Sequence, residues 1–218
     1  MRISLEQALD ILMDHVTQGR TERKPLEQCL GLVLSQDVFA LLDMPPFSRS
    51  AQDGYAFQAK DSAGASKEQP VELKVTGKIY AGDFSEAEVK PGEAIRIMTG
   101  AMIPVGADCV LRQEDTDEGE DAVRIYKEVE PGCSICFKGE EYKKGHILLH
   151  AGTKIDAAAL AVASGNGIME LPVYERVRAA VVSSGSEVVE PGTPLTPGKI
   201  YNTNTVYMKA RLHQLALR

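Results

Sequence analysis

The sequence predicts an α+β protein of more than one domain: a β-barrel-like domain is inserted into a discontinuous α-rich domain, and an α/β domain begins at the end of the chain. Two observations lead to this prediction. α-Rich segments flank a middle region of short apolar alternations broken by Gly and Pro. A mostly apolar strand pattern then precedes a loop and a helix. The expected domains are 1–45 with 137–175, 46–136, and 176–218.

The composition is that of a folded protein. Its 218 residues, 44% hydrophobic and 25% charged, can bury a sizeable core. The net charge of −7 repels a phosphate backbone and no basic patch offsets it, so nucleic-acid binding is not expected. No run approaches the roughly 20 apolar residues that span a bilayer, and the first residues lack a signal peptide. We therefore expect a cytoplasmic protein without membrane contact, and four scattered cysteines predict free thiols.

The first forty residues are predicted to be α-rich. Ser4-Leu5-Glu6-Gln7 has the form of a capping box, and apolar residues then recur at helical spacing as far as Val16. An amphipathic helix of about three to four turns is expected there. A second, shorter helical piece is expected from Pro25 through Leu30, followed by an extended segment over 32–38.

Residues 55–135 are predicted to form β structure. Their short apolar alternations are separated by frequent Gly and Pro turns, and the clearest are Val71/Leu73/Val75, Ile95/Ile97 and Val123/Ile125. Turn signals at such short intervals favour a small barrel or sandwich over a helical arrangement.

Two helices and a strand are expected after residue 150. Asp156 is placed to cap a helix over 157–164 that Gly165 terminates. Residues 177–183 form a mostly apolar strand pattern, and a helix pattern begins near Asn204, as at the opening of an α/β domain. One strand and one helix cannot make a parallel sheet, so we expect that the chain stops inside a domain or that another chain completes it.

The stretch from Pro45 to Phe57 is the strongest candidate for a functional loop. Paired prolines hold its approach extended and Asp53-Gly54 favours a tight turn, so a constrained loop would present the Asp53 carboxylate. The alternative is a structural turn flanked by core aromatics, because Asp-Gly between apolar runs is also a hairpin signal. The residues alone leave both interpretations open.

Three further loops offer hydroxyl groups or acids. Thr99 follows a strand pattern and can donate to an oxyanion or close a hairpin, and Glu141 lies in a Gly-marked loop. Ser184-Gly185-Ser186-Glu187 follows a strand pattern, where open α/β sheets place their ligands. Carboxylates repel an anionic substrate unless a hard cation bridges them, so a site shared by these loops predicts Mg²⁺. Zinc is not expected, because the CxxC of Cys133 and Cys136 has no second pair.

These motifs together resemble the MoeA/gephyrin family of molybdopterin molybdenumtransferases, from about Ser4 to the end of the chain. Two blocks are similar to family signatures: Pro46-Phe47 with Ser50-Ala51 and Asp53-Gly54-Tyr55-Ala56, and Arg96-Ile97-Met98-Thr99-Gly100-Ala101. Further similarity lies in Gln113-Glu114, Lys138-Gly139-Glu140, Ser184-Gly185 with Glu187, and Ile200-Tyr201-Asn202-Thr203-Asn204. The resemblance implies a discontinuous N-terminal domain, an inserted β domain, a molybdopterin-binding α/β domain and a C-terminal β-barrel.

The resemblance also implies a function. Family members insert molybdenum from molybdate into adenylylated molybdopterin and release AMP, with Mg²⁺ and as homodimers, and a molybdopterin adenylyltransferase is an expected partner. Catalytic roles are implied for Asp53, Thr99 and Glu187: Asp53 and Glu187 place Mg²⁺, and Thr99 hydrogen-bonds a phosphate or molybdate oxygen. Cofactor-binding roles are implied for Ser184, Gly185 and Glu141.

The sequence departs from the family pattern near these residues. Ser48-Arg49 stands where the family has Asp-Asn, and Arg49 can pair with Asp53 and lower its availability to a metal. Gln52 replaces a usual Met. The remaining departures are Glu141 in place of Asp, and Ser184 and Ser186 in place of the Thr and Asp of a TGDE turn, which removes one carboxylate.

Length is the larger departure. The chain ends at Arg218, about one βα unit into the molybdopterin-binding domain, so we expect this polypeptide alone to be inactive and only the complete protein to be an enzyme. The alternative is a non-catalytic dimerisation or scaffolding module of the same family.

Overall fold

The computed structural model describes residues 3–83 and 87–214. They form two compact units. The terminal unit contains the described residues up to Phe39 and from Ile147 onward, and the β unit contains those of Ala40–His146. The helices are α1 Leu5–His15, α2 Ala157–Gly165 and α3 Thr203–Gln214. The strands are β1 Thr21–Pro25, β2 Val38–Phe39, β3 Arg49–Ser50, β4 Gly54–Phe57, β5 Val71–Ile79, β6 Glu93–Ile97, β7 Cys109–Arg112, β8 Ala122–Ile125, β9 Ile135–Cys136, β10 Ile147–Leu149, β11 Glu170–Tyr174, β12 Val188–Val189 and β13 Ile200–Tyr201.

The β unit extends beyond the predicted limits of 46 and 136. Residues 40–45 and 137–146 join it because Met44 bridges Tyr142 and Asp43 contacts this return segment. The Lys144 N–H donates to Asp43 Oδ1 at 2.9 Å, and Lys138 Nζ lies 3.7 Å from Asp43 Oδ2. A separate domain over 176–218 remains a prediction.

The core of the β unit is a five-stranded mixed sheet with strand order β7-β4-β6-β5-β8. Strand β4 pairs antiparallel with both β6 and β7, β5 pairs parallel with β6, and β8 pairs antiparallel with β5. All four β4 residues are buried. Tyr55 and Phe57 pack into one apolar cluster, Ala56 packs into another, and Gly54 lies against the backbone of β7. The predicted alternations in β5, β6 and β8 are confirmed as strands. Asp53 therefore immediately precedes the most buried strand of the sheet.

Helix α1 confirms the predicted capping box. The Gln7 N–H donates to Ser4 Oγ, and the Ser4 N–H donates to the Gln7 side chain. No residue of α1 is buried by the described residues, and Leu5 and Leu12 are 71% and 62% exposed. The helix thus has an apolar face that the described part of the chain leaves uncovered.

The prediction of an α-rich start is wrong beyond α1. Residues 21–25 form β1, which pairs antiparallel with β11, and the expected helical piece after Pro25 is only the 3-10 turn Leu26–Gln28. Apolar residues beside these strands, including Cys29, Leu34 and Leu171, form the core of the terminal unit. Long-range pairing therefore overrides a weak local signal in a strand made of polar residues.

Two of the three predicted features near the end of the chain are confirmed. The Ala159 N–H donates to Asp156 Oδ1 at 2.8 Å, which caps α2 as predicted, and α3 matches the helix predicted near Asn204. The strand predicted over 177–183 is wrong, because no described strand pairs with it and Val182 is 86% exposed. An apolar run without a ladder partner does not form a strand. A short parallel pair, β12 with β13, follows instead.

Candidate functional site

Asp53 and Thr99 form a hydrogen-bonded pair in the β unit. The backbone N–H and the hydroxyl of Thr99 both donate to Asp53 Oδ1, at 2.7 and 2.6 Å. The pairing of β4 with β6 places Gly54 opposite Ile97, so the residue before β4 meets the turn after β6. Sheet register therefore brings together two predicted site residues that lie 46 positions apart.

The contacts of Asp53 favour its ionised form. The Thr99 hydroxyl and then the Thr99 N–H lower the pKa of Asp53 below its usual value. Burial opposes them, and the charge of Arg96 is the smallest of the contributions that lower the pKa. The Oδ2 atom accepts no hydrogen bond from any described residue, so one oxygen of an anionic carboxylate stays available. An ionised acceptor also commits the Thr99 proton to Asp53. Thr99 can donate to a substrate oxygen only by releasing this carboxylate.

Gly54 is required for a reason other than a turn. It does not adopt the left-handed conformation of a hairpin glycine, so the predicted Asp-Gly tight turn is wrong. It begins β4, where a Cβ would lie 2.0 Å from the Leu111 carbonyl oxygen on β7 and 2.9 Å from Arg112 Cα. The absence of a side chain lets two backbones approach directly beside Asp53.

Arg49 does not neutralise Asp53. It lies in β3 opposite Cys136 and bridges Met102, and no ion pair joins it to Asp53 in the described chain. The expectation that Arg49 competes with a metal for this carboxylate therefore has no support in the fold. The pairing of β3 with β9 holds the start of the loop, and the Ala51 N–H extends it by donating to the Ser134 carbonyl at 2.9 Å.

The remaining predicted site residues lie elsewhere. Glu141 is exposed in the β unit, where its N–H donates to the Met44 carbonyl. Ser184, Gly185 and Glu187 are exposed in the terminal unit. The Glu187 carboxylate lies over Gly185, since a Cβ at that glycine would be 2.8 Å from Oε1. The structure thus brings Asp53 and Thr99 together and places Glu187 in the other unit.

The donors around Asp53 suit a magnesium ion only in part. No cluster of three His, Cys, Asp or Glu side chains able to hold a metal occurs among residues 3–83 and 87–214. Mg²⁺ commonly binds through one or two carboxylates and fills its shell with water and substrate oxygens. A single ionised carboxylate with a free oxygen fits that mode, whereas a closed protein cage for the metal is not present in the described residues.

A cavity of about 250 Å³ adjoins the Asp53 loop in the β unit. Its lining residues are Gln52, Leu111, Arg112, Asp115, Lys127, Cys133 and Ser134. Two cationic side chains form ion pairs with Asp115 there. Arg112 Nε lies 2.9 Å and Lys127 Nζ 2.5 Å from Asp115 Oδ2. Hydrogen bonds from Arg112 and then Lys127 lower the pKa of Asp115 from 3.8 to about 2.

Asp115 is expected to make the stability of the protein fall in acid. Its pKa is depressed in the folded state, so its contribution is complete above the unfolded pKa of about 4 and is lost as the pH falls towards about 2. Asp115→Asn should flatten the dependence of the urea midpoint on pH in this window, with a cost of about 1 kcal/mol or less at neutral pH. The double variant Arg112→Gln/Lys127→Gln should flatten it equally. An unchanged acid slope in both would show that the ion pairs contribute nothing.

Two residues beside the pair, Arg96 and Gln113, carry no sequence signal of their own. Arg96 and Gln113 are joined by a 3.0 Å hydrogen bond, and the Gln113 N–H donates to the Asp53 carbonyl at 3.0 Å. Both lie inside segments that resemble family motifs, but no local pattern distinguishes them from their neighbours.

The fold and these motifs place the chain in a known class. Residues 3–167 match the family model described as the MoeA N-terminal region, domains I and II, and the chain belongs to this family. No helix among the described residues is long and apolar enough to cross a membrane.

Named relatives and solved structures agree with this family. The chain is 45% identical over 207 residues to molybdopterin molybdenumtransferase 2 of Mycobacterium tuberculosis, covering 95% of the chain and 51% of that protein. It is 38% identical to the molybdopterin molybdenumtransferase of Staphylococcus epidermidis, covering 99% and 52%. A crystal structure of a MoeA molybdopterin biosynthesis protein from Pyrococcus horikoshii superimposes with a TM-score of 0.88 at 35% identity, covering 100% of this chain and 56% of that one. The chain therefore spans about half the length of these relatives.

Proposed function

We propose that this chain is the N-terminal half of a molybdopterin molybdenumtransferase, which inserts molybdenum from molybdate into adenylylated molybdopterin and releases AMP. The observation that carries the proposal is the Asp53–Thr99 pair, which joins the two signature blocks of the family into one ionised carboxylate site. The names of the relatives support the same reaction class for the complete protein.

The site would act on phosphate chemistry through oriented charge. Phosphoanhydride cleavage depends mainly on positioning and on neutralising developing negative charge. Asp53 would hold Mg²⁺ through its free oxygen, and the metal would supply that neutralisation at the phosphate oxygens. Thr99 keeps the carboxylate in one orientation with two hydrogen bonds. Glu187, Ser184, Gly185 and Glu141 remain proposed contributors from other loops.

Protein partners are part of this proposal. The uncovered apolar face of α1 supports an association with another protein surface, because exposed apolar patches of this kind often mark interfaces. A homodimer and a molybdopterin adenylyltransferase are the proposed partners, and a cytoplasmic location remains a prediction.

The test is AMP release by the complete protein that contains these residues, with adenylylated molybdopterin, molybdate and Mg²⁺. Release that requires both molybdate and Mg²⁺ is the expected result, and the 218-residue chain assayed in parallel should release none. A complete protein that dimerises but releases no AMP would instead support the non-catalytic dimerisation or scaffolding module.

A further inference from the structure

Arg96 lies in one of the two strands that adjoin the Asp53–Thr99 pair and contacts the other. It lies in β6, three residues before Thr99, and is in register with Tyr55 of β4. Its guanidinium carbon lies over the Tyr55 ring, 5.7 Å from the centroid. Tyr55 is fully buried and its hydroxyl donates to the Gly119 carbonyl at 3.0 Å, so the surface on which the guanidinium rests is fixed.

Gln113 connects Arg96 to the loop of Asp53. Arg96 Nη2 donates to Gln113 Oε1 at 3.0 Å, while the Gln113 N–H donates to the Asp53 carbonyl at 3.0 Å. The Gln113 carbonyl accepts both the N–H and the hydroxyl of Thr116, the latter at 2.7 Å. Because the backbone of Gln113 is hydrogen-bonded through both its N–H and its carbonyl, a shift of its side chain would also displace Asp53.

Packing alone does not explain an arginine at this position. Its Nε is buried and has no hydrogen-bond partner among the described residues, and no described carboxylate forms an ion pair with it. A buried donor without an acceptor is costly, and an apolar side chain would cover Tyr55 without that penalty. The unpaired Nε of Arg96 therefore lowers the stability of the fold relative to an apolar side chain, which points to a role for the arginine beside the site.

We propose that Arg96 is a positioning residue for the Asp53–Thr99 pair, acting through Gln113 and Tyr55 to hold the two loops in register. Its contacts with Tyr55 and Gln113 fix the distance between Thr99, in the turn after β6, and Asp53, the residue before β4. Its charge also contributes to the low pKa of Asp53. The consequence for catalysis rests on the proposed function, whereas the structural coupling does not.

Hydrogen exchange of the Thr99 amide tests this coupling in the 218-residue chain without substrate. That amide donates to Asp53 Oδ1, so its protection reports the pair directly. In Arg96→Lys, Arg96→Gln and Gln113→Met we expect it to exchange about tenfold faster, after correction for global stability. The double variant Arg96→Gln/Gln113→Met should exchange no faster than the single ones, because both remove one link.

The lysine variant separates charge from geometry. Arg96→Lys keeps the cation but lacks the planar guanidinium, so faster Thr99 exchange in this variant assigns the coupling to the contacts of the guanidinium with Gln113 and Tyr55. Arg124→Gln is the matched control, because Arg124 is an exposed arginine of the same sheet that pairs with Glu72. It should leave the exchange of the Thr99 amide unchanged.

Unchanged Thr99 exchange in both Arg96→Gln and Gln113→Met would overturn the proposal, even if melting temperatures fall. Gln113→Met leaves Arg96 on Tyr55, so it keeps the test decisive if the arginine variants do not fold. Because no substrate is used, a complete protein that fails to release AMP would count against the proposed function and leave this result intact.

Discussion

Gly54→Ala is expected to destabilise the protein by at least about 3 kcal/mol, because a single methyl group would have to displace backbone atoms. A Cβ at this position would lie 2.0 Å from the Leu111 carbonyl oxygen and 2.8 Å from its carbonyl carbon. No rotamer change can relieve a clash with main chain. Strands β4 and β7 must separate at the point where the Gln113 N–H binds the Asp53 carbonyl.

Urea denaturation of the variant and the parent chain measures this effect. Gly77→Ala is the matched control: Gly77 lies in β5 of the same sheet, its added Cβ meets nothing within 4 Å, and its backbone is not left-handed. Its stability should change by less than about 1 kcal/mol. Equal stabilities for the two variants would mean that β4 and β7 can part at little cost.

Asp53→Asn is expected to lower the AMP-releasing activity of the complete protein by about 100-fold or more while preserving the fold. Asparagine keeps a carbonyl oxygen that can accept both Thr99 hydrogen bonds, but it carries no negative charge. The substitution therefore removes the charge that would hold Mg²⁺ and little else. A raised Mg²⁺ requirement should accompany the fall in rate.

Activity assays over a range of Mg²⁺ concentrations, with circular dichroism to verify folding, provide the measurement. Asp61→Asn serves as the control, because Asp61 is another carboxylate of the β unit that accepts a backbone N–H, from Gly92 at 2.8 Å. It should retain nearly full activity. If Asp53→Asn also stays within about twofold of the parent rate, Asp53 only shapes its loop.

Local sequence patterns predict parts of this fold. They fail where the formation of a strand depends on pairing with a strand that is distant in sequence. Strands β5, β6 and β8 follow from alternation because one set of their side chains is buried. Strand β1 carries no such pattern, because its first four residues are polar. It exists because β11, almost 150 positions later, pairs with it. The apolar run at 177–183 shows the reverse case, a strong pattern without a pairing strand.

The candidate site was predictable as a set of residues but not as a geometry. Asp53 and Thr99 could be selected from motifs, yet their contact depends on the register of β4 against β6. The sequence predicts a turn at Gly54, whereas the structure shows a close approach to the backbone of β7. Arg96 and Gln113 were not selected, because a positioning role arises from three-dimensional contacts and leaves no spacing signal in the sequence.

The two ends of the β unit meet. The Ala40 N–H donates to the His146 carbonyl at 2.8 Å, and the Ala40 carbonyl accepts the Gly145 N–H at 2.8 Å. On the other side of each junction, Phe39 pairs with Ile147. A module whose ends coincide adds almost no loop-closure entropy to its host, however long it is. Replacement of residues 40–146 by a short turn is therefore expected to cost the terminal unit little closure entropy.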